Sequence, residues 1–225
     1  MPPRREGPRP WIYRDRAHAG RALAALLAAY AGRDDVIVLA LPRGGVPVAY
    51  PIARTLGAPL DILAVRKLGV PGHEELAMGA VAEGGVRVLN QDVVSHLAID
   101  VATVDAVTRA QLPRLEDQET RFRADRQAAP RQGRKVVLVD DGLATGSTME
   151  AAIASCRRAG AAQIVVAVPV GASSTVARLK VLAEEVVCPE TPAHFRAVGL
   201  AYQEFERVAD ADVVALLSAA SEGGR

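Results

Sequence analysis

The 225 residues predict an α/β protein: a mostly parallel, twisted sheet flanked by helices, with an irregular portion towards the C-terminus. Three observations carry this. Short apolar runs that suit strands alternate with stretches of helical spacing along the whole chain. Two of those runs, Val36–Leu41 and Val136–Val139, are continuous rather than alternating, as in strands covered on both faces. Both break off into glycine-bearing loops that lead to helical stretches: Pro42-Arg43-Gly44-Gly45 after the first, Asp140 to Thr148 after the second. Hydrophobic residues make up 50% of the chain, enough for a large core, but aromatic ones only 4%, so Ala, Val and Leu must fill it.

Residues 1–12, rich in proline and arginine and without an apolar segment, read as a disordered tail rather than a secretory signal. Asp15 is placed to cap a helix running to about Tyr30, with Ala19, Leu23, Leu26, Leu27 and Tyr30 at helical spacing and Gly32 as its stop. Helical spacing resumes after Gly45 and continues to about Leu56. Leu60 to Val65 is the next candidate strand, introduced by the turn signal Gly57-Ala58-Pro59. From Lys67 to Gly85 periodicity fails, with glycine at 69, 72, 79, 84 and 85 and proline at 71. A loop of that length is uncommon and usually functional or disordered. Val86–Leu89 is a short strand. A charged helical segment covers about 103–129, which Pro113 must kink or split.

After the strand at 136–139 and its loop, Ser147 to Arg158 returns to helical spacing and Gly160 ends it. Ile164–Val168 is a strand, Thr175–Ala183 a helix, and Val186-Val187 a short strand. Cys188 to Glu206 is irregular, and Asp210 opens the last helix. The chain thus divides into a tail at 1–12, a core at 13–187, and a segment at 188–225 with the irregular stretch and the final helix.

Lys and Arg (27) nearly cancel Asp and Glu (26), leaving a net charge of +1. That balance provides no global field for nucleic acid or an anionic membrane, so an anionic substrate needs a local site. No apolar run reaches the roughly 18 residues of a membrane span. Cys156 and Cys188 are far apart and form no CxxC pair, which excludes a disulfide framework or structural zinc site. His18, His96 and His194 are isolated, and His73-Glu74-Glu75 is not the HExxH of a zinc protease. The expectation is a soluble cytoplasmic protein.

The chemistry is concentrated in Asp140-Asp141-Gly142-Leu143-Ala144-Thr145-Gly146-Ser147-Thr148. In an open α/β sheet, ligands bind beyond the carboxyl ends of strands, where a loop enters the next helix. Ala144, Thr145, Gly146, Ser147 and Thr148 offer backbone N–H groups, hydroxyls and a helix start to a phosphate. Gly146 permits close approach. Two adjacent carboxylates would repel a bare phosphate, but they suit a ligand that also carries hydroxyl donors or a metal, such as a ribose 5-phosphate. A Walker A loop would need GxxxxGK[ST]; here Ser147 stands in place of the lysine and the glycines are one residue too close. A Rossmann GxGxxG is absent. A lone Thr-Gly-Ser turn would be an ordinary helix cap, but four apolar residues, two aspartates and a phosphate loop in order are a more specific signal.

VVLVDDGLATGST, Val136 to Thr148, resembles the 5-phosphoribosyl-1-pyrophosphate (PRPP) motif of the type I phosphoribosyltransferases, especially the adenine and uracil members that share its ATG core. Leu41 to Pro47 resembles the family's pyrophosphate loop, notably the Arg-Gly-Gly of xanthine-guanine enzymes. The VRKLG, ELAMGAVAEGG and VDDGLATGST segments resemble a set of bacterial phosphoribosyltransferase-like proteins. The resemblance runs in order from about Val36 to Val170, with a looser echo to Phe205.

This resemblance implies the type I phosphoribosyltransferase fold with a C-terminal hood. It also implies transfer of the phosphoribosyl group of PRPP to a nitrogen of a small acceptor, with Mg2+ bound alongside PRPP. Asp140 and Asp141 would hold the ribose hydroxyls, directly or through the metal, and Ala144 to Thr148 the 5′-phosphate. Arg43, Gly44 and Gly45, after a cis Pro42–Arg43 peptide, would take pyrophosphate. Arg66 and Lys67 would assist from a mobile loop at about 67–85, with Glu74 or Glu75 as further candidates. Val170, Phe195, Val198 and Tyr202 would line the acceptor, Phe195 or Tyr202 as a stacking platform, although ordinary core packing explains both aromatics equally well. Purine-reading enzymes of the hypoxanthine-guanine type have an aspartate at the position of Ala144, and no base-reading lysine stands at Pro169-Val170-Gly171, so the acceptor stays open. Homodimers are common in the family. Two other classes fit less well: a PRPP-sensing regulator, disfavoured by the neutral charge and the lack of a helix-turn-helix, and a P-loop-like phosphotransferase, disfavoured by the missing lysine.

Overall fold

The computed structural model describes residues 12–124 and 126–222. The tail expected at 1–12 lies, apart from Ile12, outside the described residues. The strands are β1 (Val36–Ala40), β2 (Leu60–Ile62), β3 (Val65–Val70), β4 (His73–Ala82), β5 (Val86–Leu89), β6 (Lys135–Val139), β7 (Gln163–Ala167) and β8 (Glu185–Val187). The helices are α1 (Arg16–Leu26), α2 (Gly45–Leu56), α3 (Gln91–His96), α4 (Val101–Arg123), α5 (Ser147–Arg158), α6 (Ser173–Leu182) and α7 (Asp210–Glu222).

Five strands make a parallel sheet in the order β2-β1-β6-β7-β8, and three make a smaller antiparallel sheet, β3-β4-β5. The continuous apolar runs are the central strands, buried on both faces as their composition requires. In β1, Val36, Val38 and Ala40 face a layer that includes Leu23 and Leu27, Ile52 and Leu56 of α2, and Val213 and Leu217 of α7. Ile37 and Leu39 face the opposite layer, with Met149 and Ile153 of α5 and Leu179 of α6. The final helix, grouped with the irregular C-terminal segment in the sequence, is therefore part of the main core. Asp15 caps α1 as expected, its carboxylate accepting from the His18 N–H at 2.6 Å.

The irregular stretch expected at 67–85 is the clearest departure. It folds as the hairpin β3–β4, paired from Val65 opposite Ala82 to Val70 opposite His73. Gly69 and Gly79 serve close backbone approach rather than looping, whereas Gly72, Gly84 and Gly85 take positive φ in turns. A Cβ on Gly69 would stand 2.6 Å from the Glu74 carbonyl oxygen, and one on Gly79 would stand 2.4 Å from that of Val88. Pro113 does not split its helix: α4 runs through it for 23 residues. The short helix α3, capped by the Asn90 side chain, has no counterpart in the sequence reading.

Where α4 meets the small sheet, the carboxyl group of Glu119 is pushed up to about 7, first by burial and then by the charge of Glu83. Its Oε1 is buried without a hydrogen-bond partner. Because the folded value lies above the ordinary 4.5, the stability this group contributes is complete below about pH 4.5 and is lost as pH rises through about 7. Glu119→Gln should therefore raise the melting temperature at pH 8 relative to the parent, with no gain at pH 4. Parallel melting-temperature profiles for the two proteins would show that Glu119 titrates normally.

Candidate active site

The chain order of the large sheet reverses between β1 and β6, which sit side by side while their successors run outward in opposite directions. Such a switch point opens a crevice at the strand ends. Ala40 is opposite Val139, so the two strands end level and both loops emerge together. The expected pyrophosphate loop and the expected PRPP loop, about a hundred residues apart in the chain, thus become neighbours.

Their contact is close enough to dictate residue type. A Cβ on Gly44 would lie 2.0 Å from Asp141 Oδ2, and one on Gly45 would lie 2.6 Å from the Val139 carbonyl oxygen. The Pro42–Arg43 peptide is cis, as the resemblance implied. Gly146 adopts a φ of 80° ahead of α5, and no side chain caps that helix start.

Two residues of α6 orient the Ala144–Thr148 loop. Thr175 Oγ1 donates to the Ala144 carbonyl oxygen at 2.7 Å, and the Arg178 guanidinium donates to that of Thr145. In a planar trans peptide the N–H points opposite to the carbonyl. Tying these two oxygens to α6 therefore turns the N–H groups of Thr145 and Gly146 to the other side of the loop. Arg178 is itself held by Glu150 at 2.6 Å.

Asp140 and Asp141 lie at the mouth of the crevice. Asp140 Oδ1 accepts from the Asp141 N–H at 2.8 Å. Asp141 Oδ2 accepts from Arg16 Nε at 2.8 Å, in a pair whose side chains are only 16% and 11% exposed, respectively. Water screens so protected a pair far less than a surface one. Burial, then the charge of Asp141, pushes the Asp140 carboxyl well above the usual carboxylate range, against the pull of Arg16 and Lys67. Burial also raises Asp141, with Arg16 opposing. A ligand that brings hydroxyl donors or a divalent cation relieves both causes. Among the described residues no group of three or more His, Cys, Asp or Glu could hold a metal. Two hard carboxylates do suit magnesium, which typically takes one or two carboxylates and fills its remaining positions with phosphate and water oxygens.

The other expected site residues are distributed less simply. Lys67 is exposed on β3 and acts on Asp140. Arg66, next to it, donates through Nε to Gln111 Oε1 at 3.3 Å. Arg43 pairs with Asp210 at the start of α7, 2.5 Å away, so its side chain is already engaged. Glu74 and Glu75 are exposed at the start of β4.

Val170 is 1% exposed, and its carbonyl oxygen accepts from the Leu143 N–H at 2.9 Å. Val198 lies against Gly142, where a Cβ would come 2.6 Å from Val198 Cγ1. Phe195 is half-buried against the small cluster of Tyr13, Val170 and Tyr202. Tyr202 is 5% exposed and stacks on Phe205 at 5.0 Å, and its hydroxyl donates to the Asp141 carbonyl oxygen at 2.6 Å. It is a strut between the C-terminal segment and the aspartates, not an open stacking surface.

Sequence reasoning missed Arg16, Tyr13 and Phe205. Arg16 binds Asp141, donates to the Glu206 carbonyl oxygen at 2.8 Å, and lies 3.8 Å above the Phe205 ring. Tyr13 N–H pairs with the Ala201 carbonyl oxygen at 2.8 Å, joining the N-terminal segment to the irregular C-terminal segment. No local signal marks Arg16, because its partner lies 125 positions away.

A parallel α/β sheet whose switch point joins an acidic pair, a glycine–hydroxyl loop and an arginine–glycine loop has the type I phosphoribosyltransferase fold. The chain belongs to the phosphoribosyl transferase domain family, whose profile matches residues 12–204. It is 52% identical over 209 residues to a Mycobacterium tuberculosis (strain H37Rv) protein named "Putative phosphoribosyl transferase", covering 93% of this chain and 47% of that protein. The chain thus spans about half the length of the curated relatives it matches. The crystal structure of TT1426 from Thermus thermophilus is 46% identical, superposes with a TM-score of 0.78, and is matched over 91% of this chain and 97% of that one.

Proposed function

We propose that this domain is a phosphoribosyltransferase that moves the 5-phosphoribosyl group of PRPP to a nitrogen of a small acceptor, a nucleobase or related heterocycle. In this reaction the bond from ribose C1 to the pyrophosphate oxygen breaks, a C1–N bond forms, and the acceptor nitrogen loses a proton. The observation that carries the reading is the meeting of the Asp140–Asp141 pair with both glycine loops at one switch point.

Asp140 and Asp141 hold the ribose hydroxyls and place carboxylate charge near the cationic character that develops at C1. The N–H groups of the Ala144–Thr148 loop and the start of α5 hold the 5′-phosphate. Gly44 and Gly45 present backbone N–H groups to pyrophosphate, with Lys67 and Arg66 near by. Arg16 fixes the position of Asp141 from behind. Magnesium, held by Asp140 and Asp141 with oxygens of the donor, would neutralise charge on the departing pyrophosphate. The hairpin β3–β4 is the segment placed to close over the donor and exclude water. Phe195 and Val198, with Val170 beneath, are the acceptor-side residues. A homodimer in the cytoplasm, without nucleic acid or membrane partners, completes the reading; no described helix is long and apolar enough to cross a membrane.

Calorimetric titration of PRPP with and without Mg2+, followed by an acceptor screen for pyrophosphate release, tests it. Magnesium-dependent binding and turnover with a heterocycle are expected. A folded protein that binds no PRPP would remove the reading, and one that binds it without turnover over a broad acceptor panel would reduce it to PRPP sensing. Thr175→Val should weaken ribose 5-phosphate binding roughly fivefold and cost about 1 kcal/mol of stability, because it releases the Ala144 carbonyl. Unchanged affinity would show that the loop orients itself without α6.

A further inference from the structure

Asp141 is gripped at two points, and both grips come from outside its own loop. Its carboxylate accepts from Arg16, and its carbonyl oxygen accepts from the Tyr202 hydroxyl at 2.6 Å. Carbonyl and carboxylate hang from one Cα, so a bond to the carbonyl fixes the point from which the carboxylate projects. Hydrogen bonds weaken steeply with distance and angle, so a small shift of that point is felt by any hydroxyl the carboxylate holds. Burial, then the charge of Asp141, pushes the Tyr202 hydroxyl above its ordinary value, so it remains protonated and a donor through neutral pH.

Tyr202 belongs to a wall that is itself held. Tyr13 N–H donates to the Ala201 carbonyl oxygen at 2.8 Å, and the N–H groups of Gln203 and Glu204 donate to the Tyr13 and Arg14 carbonyl oxygens at 2.9 and 2.8 Å, respectively. The two segments thus run side by side in parallel, with Tyr13 opposite Tyr202. The Tyr202 ring stacks on Phe205 at 5.0 Å and tilts against Tyr13 at 5.8 Å. The Tyr13 hydroxyl in turn donates to the Pro169 carbonyl oxygen at 3.2 Å. A tyrosine has only two χ angles, so a ring packed in this way delivers its hydroxyl to one place. The same C-terminal segment carries Val198, which lies against Gly142, the residue after Asp141.

We propose that Tyr202 is a positioning residue for ribose recognition: through its hydroxyl the acceptor-side wall sets where Asp141 stands, and hence how firmly a ribose hydroxyl is held. This role deepens the transferase reading and rests on its assignment of the ribose hydroxyls to the aspartates. It adds a determinant of ribose over 2-deoxyribose that lies 61 positions along the chain from the carboxylate it governs. It also makes the acceptor side and the donor side of the crevice one mechanical unit.

The test titrates ribose 5-phosphate and 2-deoxyribose 5-phosphate calorimetrically, directly and in competition with PRPP, into the parent, Tyr202→Phe and Thr175→Val. Melting curves check that each is folded. Tyr202→Phe removes one oxygen and keeps the ring that packs on Phe205 and Tyr13. The two sugars share the 5′-phosphate and differ by one hydroxyl. The parent should prefer ribose 5-phosphate roughly tenfold or more, as a hydrogen bond to a carboxylate provides. In Tyr202→Phe that preference should fall at least about threefold, through weaker binding of ribose 5-phosphate, while the deoxy sugar stays within about twofold of its parent affinity. Thr175→Val disturbs the phosphate end, so it should weaken both sugars and keep the preference.

An undiminished preference in Tyr202→Phe overturns the inference and leaves the transferase reading standing. Equal weakening of both sugars in Tyr202→Phe does the same, because a merely structural role has that result. A parent that binds PRPP without preferring ribose 5-phosphate, or without competition from either sugar, also overturns it. A folded parent that binds neither PRPP nor either sugar phosphate removes the transferase reading itself, and the role of Tyr202 with it.

Discussion

Replacing Asp140 and Asp141 together by asparagine is expected to reduce PRPP affinity by about 10²–10⁴-fold and to abolish turnover. Hydrogen bonds from ribose hydroxyls to charged carboxylates are worth about 1.5–3 kcal/mol each, and two such losses convert to that range. The single variants should separate the two roles. Burial and the neighbouring charge push the Asp140 carboxyl up, so its ionised form already costs stability near neutral pH. Asp140→Asn should therefore keep or raise the melting temperature at pH 8 while losing PRPP. Asp141→Asn leaves the largely buried Arg16 without its carboxylate, so it should lose stability as well as affinity. PRPP affinity within threefold of the parent in the double variant would contradict the site, and equal melting temperatures for the two single variants would contradict the role given to Arg16.

Arg123→Met should destabilise the fold by about 3–5 kcal/mol, the cost of breaking a buried charge network from one side. The Arg123 side chain is 8% exposed, as is that of Asp61. Its Nε donates to Asp61 Oδ1 at 3.1 Å, its Nη1 to Glu83 Oε1 at 2.9 Å, and its Nη2 to the Ile62 carbonyl oxygen at 2.8 Å. Burial alone would raise the Glu83 carboxyl, but Arg123 and Arg131 hold it below its ordinary value. The network joins β2, the turn after β4 and the end of α4, so it fastens the small sheet and its long helix to the main sheet. Removing Arg123 leaves Asp61 and Glu83 buried with less compensation. Set against a typical domain stability of about 5–15 kcal/mol, that is a large fraction. Urea denaturation of the parent and the variant measures it, and a difference below about 1 kcal/mol would show that water replaces the guanidinium.

Much of this site is written locally. Val136–Val139 followed by two aspartates and Ala144–Thr148 is one stretch of chain whose strand, loop and helix follow from apolar run length and turn chemistry. The helix expected at Ser147–Arg158 has those ends in the structure. Pro42-Arg43-Gly44-Gly45 was legible for the same reason, although its glycines gained their meaning only when Asp141 was found against Gly44. Reading 67–85, which holds most of the β3–β4 hairpin, as a loop shows the opposite limit. Glycines at 69 and 79 weaken strand propensity, and only the backbones pressed against them reveal why glycine stands there.

The sequence by itself determined the alternation of strands and helices, the two loops at the strand ends, and hence the phosphoribosyltransferase resemblance. Those features depend on side chains a few positions apart, and periodicity and turn chemistry act over that range. Tertiary structure alone decided that Arg16 would hold Asp141, that Asp210 would hold Arg43, and that Tyr202 would reach the Asp141 carbonyl oxygen. Each of these pairings joins elements far apart in the chain and arises only when helices and loops pack onto the assembled sheets. No periodicity encodes them, because a charged residue on a helix surface has the same local pattern whether it faces water or a partner 125 residues away.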